Sequence, residues 1–193
     1  AHLECCVRQA AADGDPGEKL EELSRVLGKL TDILNRVPVK RGDVFFIPAG
    51  TVHAIGAGIL ICEIQQNSNT TYRVYDYNRR DKNGNLRPLH VEKALAVSDL
   101  KKSPALPEIP DGADVLLAEC GYFEVRRLRF SGEGTVTASG ESFTALTVTE
   151  GEGTLVYDGG ELDFAKGDTL FVPAQEKSFA VTGACEMILS RAK

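Results

Sequence analysis

Three ionisable side chains in the first half of the chain are of kinds that bind metals, transfer protons or recognise anions. They are His53, Glu63 and Arg73, and each lies within or beside a short apolar segment. An imidazole can bind a divalent transition metal, and a carboxylate can bind a metal or transfer a proton. A planar guanidinium recognises an anion through two parallel hydrogen bonds. The three types are therefore suited to metal binding, acid–base work and anion stabilisation.

The environment of His53 has two interpretations. The segment GDVFFIPAGTVHAIG, which starts at Gly42, is otherwise apolar or small apart from Asp43. Its glycines permit tight turns and its proline stiffens the corner before the histidine. His53 is therefore either a packed core residue or a ligand that points into a cavity.

Glu63 and Arg73 also leave two interpretations each. In ILICEIQQ, strand alternation places Glu63 on one face with Ile61. A buried carboxylate there needs a partner, which is either a core arginine or a metal or catalytic proton. In TTYRVYDY, alternation places Arg73 among tyrosines. That arginine is either a salt-bridged structural residue or a group that binds an anionic ligand.

The elements that must position these residues are mainly strands. An amphipathic helix is predicted over residues 17–37, which Pro38 follows. Short apolar runs between glycine-containing turns then predict strands, and HVEKALAVSDL predicts one short helix. Prolines indicate a linker over residues 101–113. From Asp114 onward, regularly spaced short strands predict a β-sandwich or barrel.

The chain contains one internal repeat. Residues 41–55, RGDVFFIPAGTVHAI, match residues 166–180, KGDTLFVPAQEKSFA, at one constant offset. Each copy predicts a Gly-Asp turn, a strand and a second turn that begins at proline. The second copy has Ser178 in place of His53. This difference favours one functional copy beside one structural copy.

Composition excludes several classes of protein. The chain has 193 residues, 42% hydrophobic and 26% charged, which is typical of one large or two small globular domains. Its net charge of -6 argues against binding to nucleic acid or to anionic membranes. No apolar run is long enough to span a bilayer, and no signal peptide is recognisable. Five scattered cysteines predict reduced, mostly buried thiols in a cytoplasmic protein.

Two motifs carry a family resemblance. The spacing from Gly42 to His53 resembles the second signature of the cupin superfamily. The sequence that follows closely resembles the type I mannose-6-phosphate isomerases, particularly the shorter bacterial kind, and QQNSNTTYRVYDY is its most specific part. The resemblance is strong over residues 17–100 and weaker towards the C-terminus.

The resemblance implies a mainly β fold with two cupin-type, jelly-roll β-barrels. Residues 1–100 would form the C-terminal part of a catalytic cupin domain with the helix 17–37 inserted. Residues 101–113 would be a linker, and residues 114–193 a second, degenerate cupin barrel. The first barrel is expected to be incomplete at its N-terminus.

The resemblance also implies an activity. The protein is expected to be a zinc-dependent aldose–ketose isomerase that interconverts mannose 6-phosphate and fructose 6-phosphate through an enediol. One divalent ion per complete catalytic domain is expected, with His53 as a ligand. Arg73 matches the family's active-site arginine, and Glu63 matches an acidic position of its pocket. The implied partner is a sugar phosphate.

Two departures from the family affect these expectations. Asn69 stands where relatives often carry an aspartate, and the family's other zinc ligands and a pocket lysine lie upstream of the helix. His2 and Glu4 are weak substitutes because they lack the glycine framing of the motif. The chain alone is therefore expected to bind zinc weakly and to show no isomerase activity.

Two other functions compete with the isomerase. A non-catalytic sugar-binding or regulatory bicupin would keep the pocket and lack the chemistry. A metal-dependent oxygenase would need a facial set of histidine and carboxylate ligands. The chain has only His2, His53 and His90, and this small number weighs against an oxygenase.

Overall fold

The computed structural model describes residues 34–68, 70–77, 79–99 and 108–193. These residues fall into two compact units. Of the described residues, the first unit takes 34–41, 47–59 and those from 68 to 99, and the second takes 42–46, 60–67 and 108–193. The domain boundaries drawn from the sequence, at residues 100 and 114, stay predictions.

Six strands of the second unit form one antiparallel sheet. Their bounds are Asp114–Glu119 (β1), Phe123–Ala138 (β2), Thr144–Tyr157 (β3), Gly160–Ala165 (β4), Thr169–Val172 (β5) and Lys177–Ala192 (β6). The strand order is β1-β2-β6-β3-β4, and β5 pairs with the first part of β3. The mainly β fold class is confirmed, whereas the arrangement as two barrels stays a prediction.

The long strands are a correction to the sequence interpretation. The segments YFEVRRLRF and TVTAS, apart from Tyr122 and Ser139, lie in the single strand β2, whereas the sequence predicts short strands from Asp114 onward. Gly183 of β6 pairs with Gly132 on one side and with Gly153 on the other. A Cβ atom at Gly183 would lie 2.4 Å from the Glu152 carbonyl oxygen. These glycines therefore mark a close approach of strands and not a chain reversal.

The core of the second unit follows from strand alternation. Along the start of β3, Thr144, Leu146 and Val148 are buried while the residues between them are partly exposed. Apolar residues from β2 to β6 complete one cluster: Leu128, Val136, Ala138, Leu146, Val148, Leu155, Phe164, Val172, Phe179, Val181, Cys185, Met187 and Leu189. Burial of this cluster stabilises the sheet because it removes apolar area from water.

The first unit contains the helix α1, Val91–Val97, as predicted. The strands predicted from DVFFIPAG, ILICEIQQ and TYRVYDY are absent, because no ladder of backbone hydrogen bonds pairs these segments within the described residues. Residues 17–33 of the other predicted helix lie outside the described part. Residues 34–37 are not helical, and Pro38 disfavours the helical conformation at Val37, the residue before it.

Other sequence expectations concern thiols and membrane spans. Cys185 is a buried free thiol, as predicted, and burial raises its pKa. Cys62 is exposed, so the expectation of mostly buried thiols is wrong for this residue. Among the helices of the described residues, none has the length and apolarity to cross a bilayer.

A polar cluster ties β6 to its two neighbouring strands. Arg129 Nε donates to Glu186 Oε2 at 2.8 Å, and Thr149 Oγ1 donates to Glu186 Oε1 at 3.0 Å. Burial acts to raise the pKa of Glu186, but the hydrogen bonds from Arg129 and Thr149 outweigh it and lower the pKa. The ionised glutamate is therefore favoured in the folded protein.

Glu186→Gln is expected to weaken the pH dependence of stability in acid. A depressed folded pKa stabilises the protein fully above the ordinary glutamate pKa of 4.5, and this contribution is lost as the pH falls through the lower folded value. Between neutral pH and about pH 3, the free energy of unfolding should fall less in the variant, by up to about 1 kcal/mol. Urea unfolding at both pH values measures the difference. Glu133→Gln on β2 is the control, and an equal acid loss in both variants would contradict the prediction.

Candidate functional site

The turn before His53 is fixed by contacts with the end of α1. The Thr51 N–H donates to the Pro48 carbonyl at 3.2 Å, and the Asp99 N–H donates to the Gly50 carbonyl at 2.9 Å. Gly50 has a φ of 86°, and a Cβ atom there would lie 2.6 Å from the Val97 carbonyl oxygen. Only glycine fits this position, which explains the glycine in the motif.

The ring of His53 is oriented by its own turn. Nδ1 lies 2.9 Å from the Thr51 carbonyl oxygen. Because a carbonyl oxygen only accepts, Nδ1 carries the proton, and Nε2 of the neutral ring is left as the electron-pair donor. The side chain is exposed, so a packed core histidine is excluded. An imidazole held through one nitrogen is a common arrangement for a metal ligand.

Arg73 is held at the other end of α1. Its backbone N–H donates to His90 Nδ1 at 3.2 Å, and the His90 N–H donates to the Arg73 carbonyl at 2.7 Å. Its Nη1 donates to the Pro88 carbonyl at 3.1 Å. Arg73 is thus fixed through both its backbone and its guanidinium. His90 was not a sequence-predicted site residue, since no spacing linked it to Arg73.

The helix α1 relates these two positions. The turn that carries His53 contacts its C-terminal end, and Arg73 is bonded to His90, the residue before its first turn. A helix of seven residues is about 10 Å long. His53 and Arg73 are therefore anchored to opposite ends of one short rigid element in the first unit.

A buried carboxylate lies beside Arg73. Asp76 is 5% exposed, and its Oδ1 lies 3.5 Å from Arg73 Nε and 2.8 Å from Arg79 Nη2. Its Oδ2 lies 3.5 Å from Arg87 Nε. Sequence reasoning missed this contact because strand alternation places Arg73 and Asp76 on opposite faces. The chain bends at Val74 instead, which brings the two side chains together.

The polar segment after Asp76 forms a turn around its Asn83-Gly84 pair. Asp81 Oδ1 accepts hydrogen bonds from the backbone N–H groups of Asn83 at 2.8 Å and Asn85 at 2.9 Å. These two hydrogen bonds lower the pKa of Asp81, and the bond from Asn85 is the larger cause. Arg80 Nη1 donates to the Gly84 carbonyl at 2.6 Å. The segment is a self-contained exposed turn.

Glu63 and Asn69 complete the sequence-predicted positions. Glu63 is exposed and belongs to the second unit, whereas His53 and Arg73 belong to the first. The strand predicted from ILICEIQQ, which would have set the direction of the Glu63 side chain, is not formed. Asn69 lies outside the described residues. The roles assigned to His53, Glu63 and Arg73 stay predictions.

The described residues do not make a complete metal site. Across these residues, no group of three or more histidine, cysteine, aspartate or glutamate side chains is arranged to hold a metal ion. A catalytic zinc ion normally takes three protein ligands, and His53 supplies one donor. His2 and Glu4 lie outside the described residues. The donor set in the described part therefore does not fit a catalytic zinc ion.

Comparison with known proteins identifies the relatives of the chain. Residues 115–192 match the family model described as mannose-6-phosphate isomerase, cupin domain. The mannose-6-phosphate isomerase ManA of Bacillus subtilis is 41% identical over 180 residues, which are 88% of this chain and 56% of ManA. The mannose-6-phosphate isomerase of Streptococcus mutans is 34% identical over 183 residues, 92% of this chain and 58% of that protein.

The solved structure of the Bacillus subtilis mannose 6-phosphate isomerase is also similar. It superposes with a TM-score of 0.56 at 35% identity, over 65% of this chain and 41% of that chain. The chain therefore spans just over half the length of the curated relatives it matches.

Proposed function

We propose that the protein interconverts mannose 6-phosphate and fructose 6-phosphate, because residues 115–192 match the family model of the mannose-6-phosphate isomerase cupin domain. The observation that carries the proposal is the extent of the similarity. It covers 88% of the chain at 41% identity to ManA, and so reaches well beyond the 115–192 match into the part that contains His53 and Arg73.

The proposed reaction moves a proton between adjacent sugar carbons through an enediol. It needs a base near the sugar and positive charge near its oxygens. Arg73 suits the second role, since its guanidinium is held in place by Pro88 and Asp76 before any substrate binds. A donor that is already oriented costs no reorganisation as negative charge develops. Glu63 is proposed as a proton-transfer group.

Zinc dependence enters this proposal through His53. Its Nε2 is the ring nitrogen left to bind a metal when Nδ1 donates to Thr51. The further ligands that such an ion needs are not provided by the described residues, and they would come from elsewhere in the natural protein.

A coupled isomerase assay tests the proposal. The natural full-length protein is given mannose 6-phosphate, and formation of fructose 6-phosphate is followed before chelation, after chelation and after zinc is restored. Turnover that falls on chelation and returns with zinc is expected. Saturable binding of mannose 6-phosphate without turnover would instead identify a non-catalytic sugar-binding protein and would overturn the proposal.

Glu63→Gln is expected to lower kcat by about 10²–10⁴-fold, because the amide keeps the shape of the side chain and cannot transfer the proton. Steady-state kinetics across the pH range measure the effect. Glu108→Gln, an exposed position of the same unit, is the matched control. If kcat and its pH dependence are the same in Glu63→Gln and wild type, Glu63 is not part of the chemistry.

A further inference from the structure

We infer that Asp76 is the positioning residue of Arg73. It is the buried anion that holds the guanidinium in its working orientation. The contact itself is seen in the first unit, where Asp76 Oδ1 lies 3.5 Å from Arg73 Nε. The catalytic consequence rests on the proposed isomerase function.

Burial makes Asp76 dependent on its arginines. Its side chain is 6% exposed, whereas those of Arg79 and Arg87 are 62% and 38% exposed. A carboxylate removed from water is costly unless positive charges and hydrogen bonds replace the lost hydration. Within the described residues, Asp76 Oδ2 has no hydrogen bond and one ion pair, which it makes with Arg87 Nε at 3.5 Å. The cluster that Asp76 forms with its three arginine partners is thus held together mainly by the negative charge of Asp76.

Counted over the described residues, the charges of the cluster do not balance. Three guanidinium groups, those of Arg73, Arg79 and Arg87, share the single carboxylate of Asp76. Asp76 therefore draws together three cations that would otherwise repel one another. The excess positive charge remains available to an anionic substrate. Removal of the carboxylate would leave three mutually repelling cations, and Arg73 would move.

Two separate contacts define the direction of the Arg73 guanidinium. Nε faces Asp76 Oδ1, and Nη1 donates to the Pro88 carbonyl at 3.1 Å. One contact would leave the plane of the group free to rotate, whereas contacts from two nitrogens fix it. With 17% of its side chain exposed, Arg73 is accessible to a small ligand in this fixed orientation.

The test is a double-mutant cycle between Asp76→Asn and Arg73→Lys in the natural full-length protein. Asparagine keeps the shape and removes the charge, so kcat should fall by about 10–100-fold, since a misplacement near 1 Å costs up to about 10²-fold. In the Arg73→Lys background, Asp76→Asn should change kcat by less than about 3-fold, because the group it positions is gone. Asp81→Asn, in the adjacent exposed turn, is the control and should stay within about 2-fold of wild type.

Additive losses in the cycle would overturn the inference, because they would show that Asp76 acts independently of Arg73. Crystal structures of wild type and Asp76→Asn provide a readout that does not need turnover. Loss of the Arg73–Pro88 hydrogen bond in the variant supports the inference, and an unmoved Arg73 overturns it. If wild type shows no isomerase activity, the proposed function fails while this comparison still decides the role of Asp76.

A second variant keeps the inference testable if Asp76→Asn fails to fold. Asp76→Glu keeps the buried charge and moves the carboxylate, so it should fold and lose activity by about 3–10-fold, with the loss again absent in the Arg73→Lys background. Equal losses from Asp76→Glu in the presence and absence of Arg73 would overturn the inference.

Discussion

Arg73→Lys is expected to lower kcat/KM for mannose 6-phosphate by about 10²–10³-fold, the usual cost of removing one oriented donor from a developing oxyanion. Lysine keeps the charge, but one ammonium group cannot reproduce the contacts that Nε makes with Asp76 and Nη1 makes with Pro88. The two backbone hydrogen bonds with His90 do not depend on the side chain, so stability should change by less than about 1 kcal/mol.

Steady-state kinetics and urea unfolding of the natural full-length protein measure both parts of this prediction. Arg80→Lys is the matched control, since Arg80 makes its side-chain hydrogen bond to Gly84 within an exposed turn. Its activity should stay within about 2-fold of wild type. Unchanged kinetics in Arg73→Lys would show that Arg73 is a structural residue.

His53→Ala is expected to weaken zinc binding by more than about 100-fold, since even the loss of a group that only supports a ligand costs about 10–100-fold in affinity. The physical reason is the loss of Nε2, which is presented by the bond from Nδ1 to the Thr51 carbonyl. Because His53 is exposed, its removal should cost little stability. Elemental analysis of the dialysed full-length protein measures the bound zinc.

The internal repeat supplies the control for this measurement. Ser178 occupies the position of His53 in the second copy, and Ser178→Ala should leave the zinc content unchanged. Stoichiometric zinc retained in His53→Ala would remove His53 from the set of ligands and would return the search to the residues outside the described part of the chain.

The features that the sequence alone determined are local. Gly42 and Gly167, the matched glycines of the repeat, have φ values of 88° and 100°, and an aspartate follows each. A Gly-Asp turn is readable from sequence because the allowed backbone angles of glycine set it within a few residues. The helix α1 and the alternating burial of β3 are local in the same sense.

Tertiary structure alone decided which apolar segments became strands. TLFVP contributes β5 because β3 offers it a partner, whereas ILICEIQQ has strand composition and no ladder among the described residues. A strand is defined by hydrogen bonds to a neighbour that can lie far away in sequence, so composition cannot settle it. The same holds for the glycines inside β2 and β3, whose meaning as close approaches required the register with β6.

The candidate site also contains residues that the sequence predicted and a residue that only the tertiary structure revealed. The types and spacing of His53 and Arg73 made them candidates without any coordinates. The buried Asp76 did not stand out, because its importance lies in the gathering of Arg73, Arg79 and Arg87 around one carboxylate. Charge–charge contacts depend on distance and burial in space, and both are set only when the chain bends and packs.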